Sequence, residues 1–120
     1  MTRILTVDDS ASMRNLVKLA LLDAGFDVAQ ANDGREALDM ALASSYDLVL
    51  ADVNMPNMDG IELIRALRSD GGYRMTPILM LTTVTSPTQR AEGKAAGATG
   101  WIVKPFHPEQ LVAAIRRALR

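Results

Sequence analysis

The 120-residue sequence contains no cysteine. Disulfide scaffolds, thiolate nucleophiles, iron–sulfur clusters and cysteine-ligated zinc are therefore excluded. Histidine occurs once, at His107, so no site can need two imidazoles. Aromatic residues are few as well: Trp101, Tyr46, Tyr73, Phe26 and Phe106. They form no platform on which nucleobases would stack. Neither sign of charge dominates, since 13 basic and 14 acidic residues leave a formal net charge of -1. Nucleic-acid binders ordinarily carry a clear basic excess, so no nucleic-acid partner is expected. No apolar run approaches the ~20 residues needed to cross a bilayer, which excludes a membrane span. The first run, Arg3-Ile4-Leu5-Thr6-Val7, is stopped by Asp8-Asp9, too early for a signal peptide. A cytoplasmic location is expected.

What is present describes a globule. Hydrophobic residues make up 48% and charged residues 22%, enough apolar material for one core and too much for disorder. A single domain over residues 1–120 is expected, with no linker and no output domain. Five times over, a short apolar run is followed by a polar break and a helical pattern. The runs cover residues 3–7, 26–31, 47–51, 77–81 and 99–103. The first, third and fourth are nearly continuous apolar stretches, as strands buried on both faces should be. The second alternates and reads as an edge strand.

Helical stripes fill the intervals. They are Met13, Leu16, Val17, Ala20 and Leu21; then Ala37, Leu38, Ala41 and Leu42; then Ile61, Leu63, Ile64 and Leu67. The last carries Leu111, Val112, Ile115 and Leu119. Gly25 and Gly97 read as helix stops, and Asp59 with Glu62 as a capping box. Ser86-Pro87-Thr88-Gln89 reads as the start of the fourth helix, while Gly71-Gly72 reads as a plain loop. Strands alternating with helices predict an α/β fold, a doubly wound five-stranded parallel sheet with five helices.

The functional signal lies in how the strands stop. The first ends in Asp8-Asp9, the third in Asp52, the fourth in Thr82-Thr83 and the fifth in Lys104-Pro105. Parallel strands finish on one edge of a sheet, and ligands of open α/β sheets bind there. Three carboxylates in one pocket repel one another, and one ammonium cannot balance them. A hard divalent cation fits, Mg2+ best, since it takes oxygen ligands and shares its shell with phosphate. A carboxylate so placed can also accept phosphoryl. Each residue alone has a plainer use. Asp9 or Ser10 suits capping the first helix, Asp52 a turn, Thr82 a loop contact and Lys104 a solvated surface.

With these four strand ends the sequence resembles the receiver domain of two-component response regulators, nearest the single-domain chemotaxis (CheY-type) members. The motifs are Val7-Asp8-Asp9-Ser10, the run from Ala51-Asp52 to Asp59-Gly60, Leu81-Thr82-Thr83, and Trp101-Ile102-Val103-Lys104-Pro105-Phe106. The resemblance covers the whole chain and implies a flavodoxin-like sheet of order 2-1-3-4-5. It implies that Asp52 is the phosphoacceptor, loaded by a CheA-like sensor histidine kinase. Asp9, Asp52 and the backbone carbonyl of Asn54 would hold Mg2+, with Asp8 acting through a bound water. Thr82 and Lys104 would bind phosphoryl oxygens, and the Lys104-Pro105 bond would be cis. Trp101 stands where the family places a switch aromatic, more often Tyr or Phe. Arg90, Lys94, Trp101, Val112 and Arg116 are the candidates for the partner face.

Two departures stand out. Thr83 is larger than the residue common there, and Val84 offers no group to an attacking water, which implies slow self-dephosphorylation unless a phosphatase assists. The resemblance implies no enzyme activity beyond the chain's own phosphorylation and dephosphorylation. It implies a monomer that binds the flagellar motor switch or, alternatively, serves as adaptor or phosphate sink in another phosphorelay. A flavin-binding protein, an aspartate-nucleophile phosphatase and a DNA-binding regulator are the competing classes. Asp8-Asp9 would repel a flavin phosphate.

Overall fold

The computed structural model describes residues 2–83 and 87–120. Its strands are β1 (Arg3–Val7), β2 (Asp27–Ala31), β3 (Leu48–Asp52), β4 (Ile78–Thr82) and β5 (Gly100–Val103). Its helices are α1 (Ala11–Asp23), α2 (Gly34–Ala43), α3 (Gly60–Ser69), α4 (Pro87–Ala96) and α5 (Pro108–Ala118). All strand pairs are parallel, in the order β2-β1-β3-β4-β5.

Successive strand residues point to opposite faces, and both faces are covered. Leu48 and Leu50 of β3 join Leu79 and Leu81 of β4 under α1 and α5. Val49, Ala51, Ile78 and Met80 face α2, α3 and α4. Two apolar faces on one strand explain why these runs show no alternation. β3 and β4 each reach one residue beyond the expected run, to Asp52 and Thr82. The two polar residues are therefore held in the ladder itself, where Asp52 pairs with Leu81.

α1 starts as expected, with Ser10 Oγ accepting from the Met13 amide at 3.3 Å. It buries Val17 and Leu21, but Leu16 is 44% exposed. α2 buries only the small residues Gly34, Ala37 and Ala41, and leaves Leu42 58% exposed. Both leucines lie one position around the helix from the contact line, so the stripes are narrower than the sequence pattern implied. α3 carries the expected Asp59–Glu62 capping box and buries Ile61, Leu63, Ile64 and Leu67. Gly25 and Gly97 follow α1 and α4 at positive φ, as expected of helix stops. The expected cap Ser86 lies outside the described residues. α5 begins after His107, whose amide donates to Gln110 Oε1 at 3.0 Å.

Gly71–Tyr73, expected to be loop, is a turn of 3₁₀ helix. Asp70 accepts from the Gly72 amide at 3.2 Å and starts it. The turn delivers Tyr73 to the interior, where its hydroxyl lies 2.7 Å from Ala41 O and 2.8 Å from Ser44 O at the end of α2. Helix-terminal carbonyls have no partner within their own helix. Tyr73→Phe removes the donor and leaves them buried, which will cost about 2 kcal/mol, read as a lower denaturation midpoint at unchanged m-value.

Candidate functional site

The edge formed by the C-terminal ends of β1, β3, β4 and β5 gathers the expected residues. Asp8, Asp9 and Asp52 each offer a carboxylate oxygen, all within 4.8 Å of one another. Asp8 and Asp52 are buried, and Asp9 is exposed. Lys104 Nζ lies 3.2 Å from Asp8 Oδ2 and 3.4 Å from Asp52 Oδ2. Its backbone is held by Lys104 N donating to Thr82 O at 2.9 Å, and the Lys104-Pro105 bond is cis, as the resemblance implied. The other Asp8 oxygen accepts from the Ser10 amide at 2.9 Å. Ser10 therefore ties the site to the start of α1 through its amide while its hydroxyl caps the helix. Thr82 is buried at the end of β4.

Among the described residues, the Lys104 ammonium pairs with two of the three carboxylates, and electrostatics responds accordingly. Burial pushes the Asp52 carboxyl above its ordinary range. Lys104 opposes that rise, and the Asp8 charge adds to it. A carboxyl whose folded-state pKa is raised binds its proton more tightly in the folded chain than in the unfolded one. Its ionised form costs stability at neutral pH, and the cost disappears as pH falls below the unfolded value. Asp52→Asn will therefore melt above the unsubstituted protein when both are metal-free at neutral pH. Thermal melts across the acid range will show that gain shrinking as pH falls.

All donors of the cluster are oxygen, with one exposed carboxylate open to solvent. This is the chemistry of a hard divalent cation such as Mg2+ rather than of a soft transition metal. Asn54 follows, exposed, on the loop 53–59 between β3 and α3. Thr83 is exposed, and Val84 lies outside the described residues.

The residues of the expected partner face lie on α4, β5 and α5. Trp101 is half-buried on the edge strand β5, with the Arg90 guanidinium 5.9 Å from its ring centre. Its ring rests on α4 at Gly93, where an added Cβ would collide with it. Lys94 is exposed on α4. Arg116 lines a groove of about 850 Å³ with Trp101, Phe106, Arg117 and Arg120. Val112 and Arg116 together line a second hollow with Ala20 and Asp23 of α1. His107 is exposed at the start of α5.

Sequence reasoning passed over two groups near the site. Gly60 begins α3 so close to β3 that a Cβ would strike the Asp52 carbonyl oxygen. Asp33 caps α2 and also holds Asn57 of the loop 53–59. The sequence signal for Asp33 was the triplet Asp33-Gly34-Arg35 with Glu36, a cap three residues ahead of a glutamate.

Comparison with known proteins agrees with this geometry. The family model for the response regulator receiver domain matches residues 4–116. MtrA of Mycobacterium tuberculosis, described as a DNA-binding response regulator, is 43% identical over 118 residues, which are 98% of this chain and 50% of that protein. The chain thus spans about half the length of this relative. Among solved structures, the chemotaxis protein CheY4 of Vibrio cholerae is 53% identical, with a TM-score of 0.96 and 99% of each chain covered. The receiver domain of the sensor histidine kinase PA1611 from Pseudomonas aeruginosa is 28% identical, with a TM-score of 0.92 and coverage of 98% of this chain and 97% of that one. Its structure has magnesium coordinated in the active-site cleft. Sheet order, coverage and identity lead to one conclusion: the chain belongs to the family of two-component response regulator receiver domains.

Proposed function

We propose that Asp52 accepts a phosphoryl group from a phosphohistidine of a CheA-like sensor histidine kinase, and that the phosphorylated chain switches a partner face. One observation carries the reading: Asp52, buried at the end of β3, has two more carboxylates and the Lys104 ammonium gathered around it. An Asp52 carboxylate oxygen attacks phosphorus and forms the acyl phosphate. The P–N bond breaks, and its electron pair stays on the imidazole nitrogen of the donor. Asp9, Asp52 and the Asn54 carbonyl would hold Mg2+, with Asp8 acting through water. When bound, the cation neutralises charge on the phosphoryl oxygens. Lys104 pairs with one of those oxygens, and the Thr82 hydroxyl bonds another. The chain carries out only its own phosphorylation and dephosphorylation, and turns over no other substrate.

Output follows from the place of Thr82 beside β5. Its shift toward the phosphoryl group changes the space available to Trp101, and with it the face formed by Arg90, Lys94, Trp101, Val112 and Arg116. Similarity to CheY4 along the whole chain favours chemotaxis, with the flagellar motor switch as target of a cytoplasmic, monomeric protein. The identity to MtrA favours a second reading, a receiver serving a transcription regulator. An adaptor or phosphate-sink role uses the same site.

The test loads a CheA-like kinase with labelled phosphate, adds the chain, and then offers purified flagellar motor switch protein. Label is expected to leave the kinase, to be retained by this chain but not by Asp52→Asn, and to bring the chain onto the motor protein. Equal transfer to Asp52→Asn would overturn the assignment of Asp52. Transfer to Asp52 without phosphorylation-dependent motor binding would remove chemotaxis and leave the phosphoacceptor reading intact.

A further inference from the structure

The loop 53–59 carries Asn54, and its ends are fixed by backbone bonds. Val53 N donates to Leu81 O at 3.2 Å, and Gly60 N donates to Val53 O at 2.9 Å. Its middle is held differently. Asn57 sits at φ 68, in the left-handed region that side chains rarely adopt and that asparagine tolerates best. Its Nδ2 donates to Asp33 Oδ2 at 2.9 Å. The other Asp33 oxygen accepts from the Glu36 amide at 2.8 Å and caps α2. One carboxylate thus joins the first turn of α2 to the loop. Its position is set from below as well. Asn32 N donates to Glu36 Oε1 at 2.8 Å, and the end of β2 is tied to the site where Asp8 N donates to Ala31 O at 3.3 Å. Next to Asp33, the backbone of Gly34 lies flush with the loop, since a Cβ there would collide with the Met58 carbonyl.

We infer that Asp33 is a positioning residue for the metal–phosphoryl site, acting through Asn57 to hold the loop that presents the Asn54 carbonyl. The inference rests on the reading of that carbonyl as a cation ligand. Without that bond the loop keeps its end bonds and the packing of Met55 and Met58 on the core, but its middle samples more conformations that a ligand must order on binding. A loop held at its middle is ordered beforehand, and the affinity is correspondingly higher.

Capping and positioning can be separated by substitution. The Asp33→Ser side chain still caps α2 but is too short to reach Asn57. The Asp33→Asn side chain caps α2 and presents an amide, and the Asn57 amide can turn over to accept from it. Asp33→Asn also removes the charge, so it distinguishes a hydrogen bond from simple attraction of the cation. Two readouts apply: Mg2+ affinity by calorimetry, and amide hydrogen exchange of residues 54–58 in the metal-free protein. Asp33→Ser is expected to weaken Mg2+ roughly three- to tenfold, the weight of one hydrogen bond, and to speed exchange in the loop. Asp33→Asn is expected to stay within about twofold of the unsubstituted protein in both. Asn57→Gly keeps the left-handed backbone, loses the bond and should reproduce Asp33→Ser, with the double variant no weaker than either.

Unchanged Mg2+ affinity in Asp33→Ser, with the unsubstituted protein binding normally, overturns the inference and leaves the function reading standing. So does a loss in Asp33→Asn equal to that in Asp33→Ser. If the unsubstituted protein takes up no Mg2+, the metal reading fails and this inference fails with it.

Discussion

Lys104→Met is expected to lower the melting temperature of the metal-free protein by roughly 12 °C at neutral pH, and Mg2+ to recover most of that loss. Lys104 is the ammonium within reach of both Asp8 and Asp52, and all three side chains are largely buried. Removing one partner of a buried ionic cluster leaves the others charged and unsolvated, at a cost of about 3 kcal/mol. In a domain of this size each kcal/mol moves the melting temperature by roughly 4 °C. Methionine keeps much of the volume, so the loss reports charge rather than a cavity. The vacated position also removes a competitor for the carboxylates. Mg2+ at about 100 times its dissociation constant stabilises by about 2.7 kcal/mol, so the variant in Mg2+ should melt close to the metal-free unsubstituted protein. Acidification should narrow the metal-free gap as well, because the Asp52 carboxyl is already displaced upward by burial. Melts with and without Mg2+ at two pH values check all three points. A metal-free variant that melts with the unsubstituted protein would contradict the electrostatic account of the site.

Gly60→Ala is expected to destabilise by about 4 kcal/mol or more and to abolish Mg2+ binding. Helix propensity alone predicts the opposite sign, since alanine is the better helix former. Sterics decides. An added Cβ would meet the Asp52 carbonyl oxygen, the Met80 methyl at 2.6 Å and Val53 Cα at 3.0 Å. The backbone of Asp52 is held in the ladder opposite Leu81, and Met80 is fully buried. Nothing at that point can yield cheaply. α3 would have to lift from the sheet and carry the loop 53–59 with it. Denaturant unfolding followed by calorimetry with Mg2+ measures both effects. A more stable variant that still binds would show that the close approach of α3 to Asp52 is not needed.

Much of this architecture is legible in sequence because its signals are local. Runs such as residues 47–51 announce strands buried on both faces, and Asp59 with Glu62 announces the start of α3. The site is legible for a related reason. In a parallel sheet the polar residue that ends each strand falls on one edge, so Asp8, Asp52, Thr82 and Lys104 can be placed together without knowing the packing. What was not legible depends on how elements sit against one another. Leu16 and Leu42 have core-forming side chains, but the helices rest on Val17 and Ala41. The 3₁₀ turn at Gly71–Tyr73 exists because Tyr73 reaches the end of α2 about 30 residues back, a contact with no local signature. Asp33 was passed over, and its bond to Asn57 appears only once β2 and β3 are laid two places apart in the sheet.

The most direct test of the account is the site and metal dependence of phosphoryl uptake. The intact chain is incubated with acetyl phosphate and Mg2+, and the adduct is located by tandem mass spectrometry after reductive trapping. The account predicts one phosphoryl group on Asp52, lost on chelation and absent from Asp52→Asn. An adduct that forms without Mg2+, that maps to Asp8, Asp9 or His107, or that persists in Asp52→Asn would contradict it.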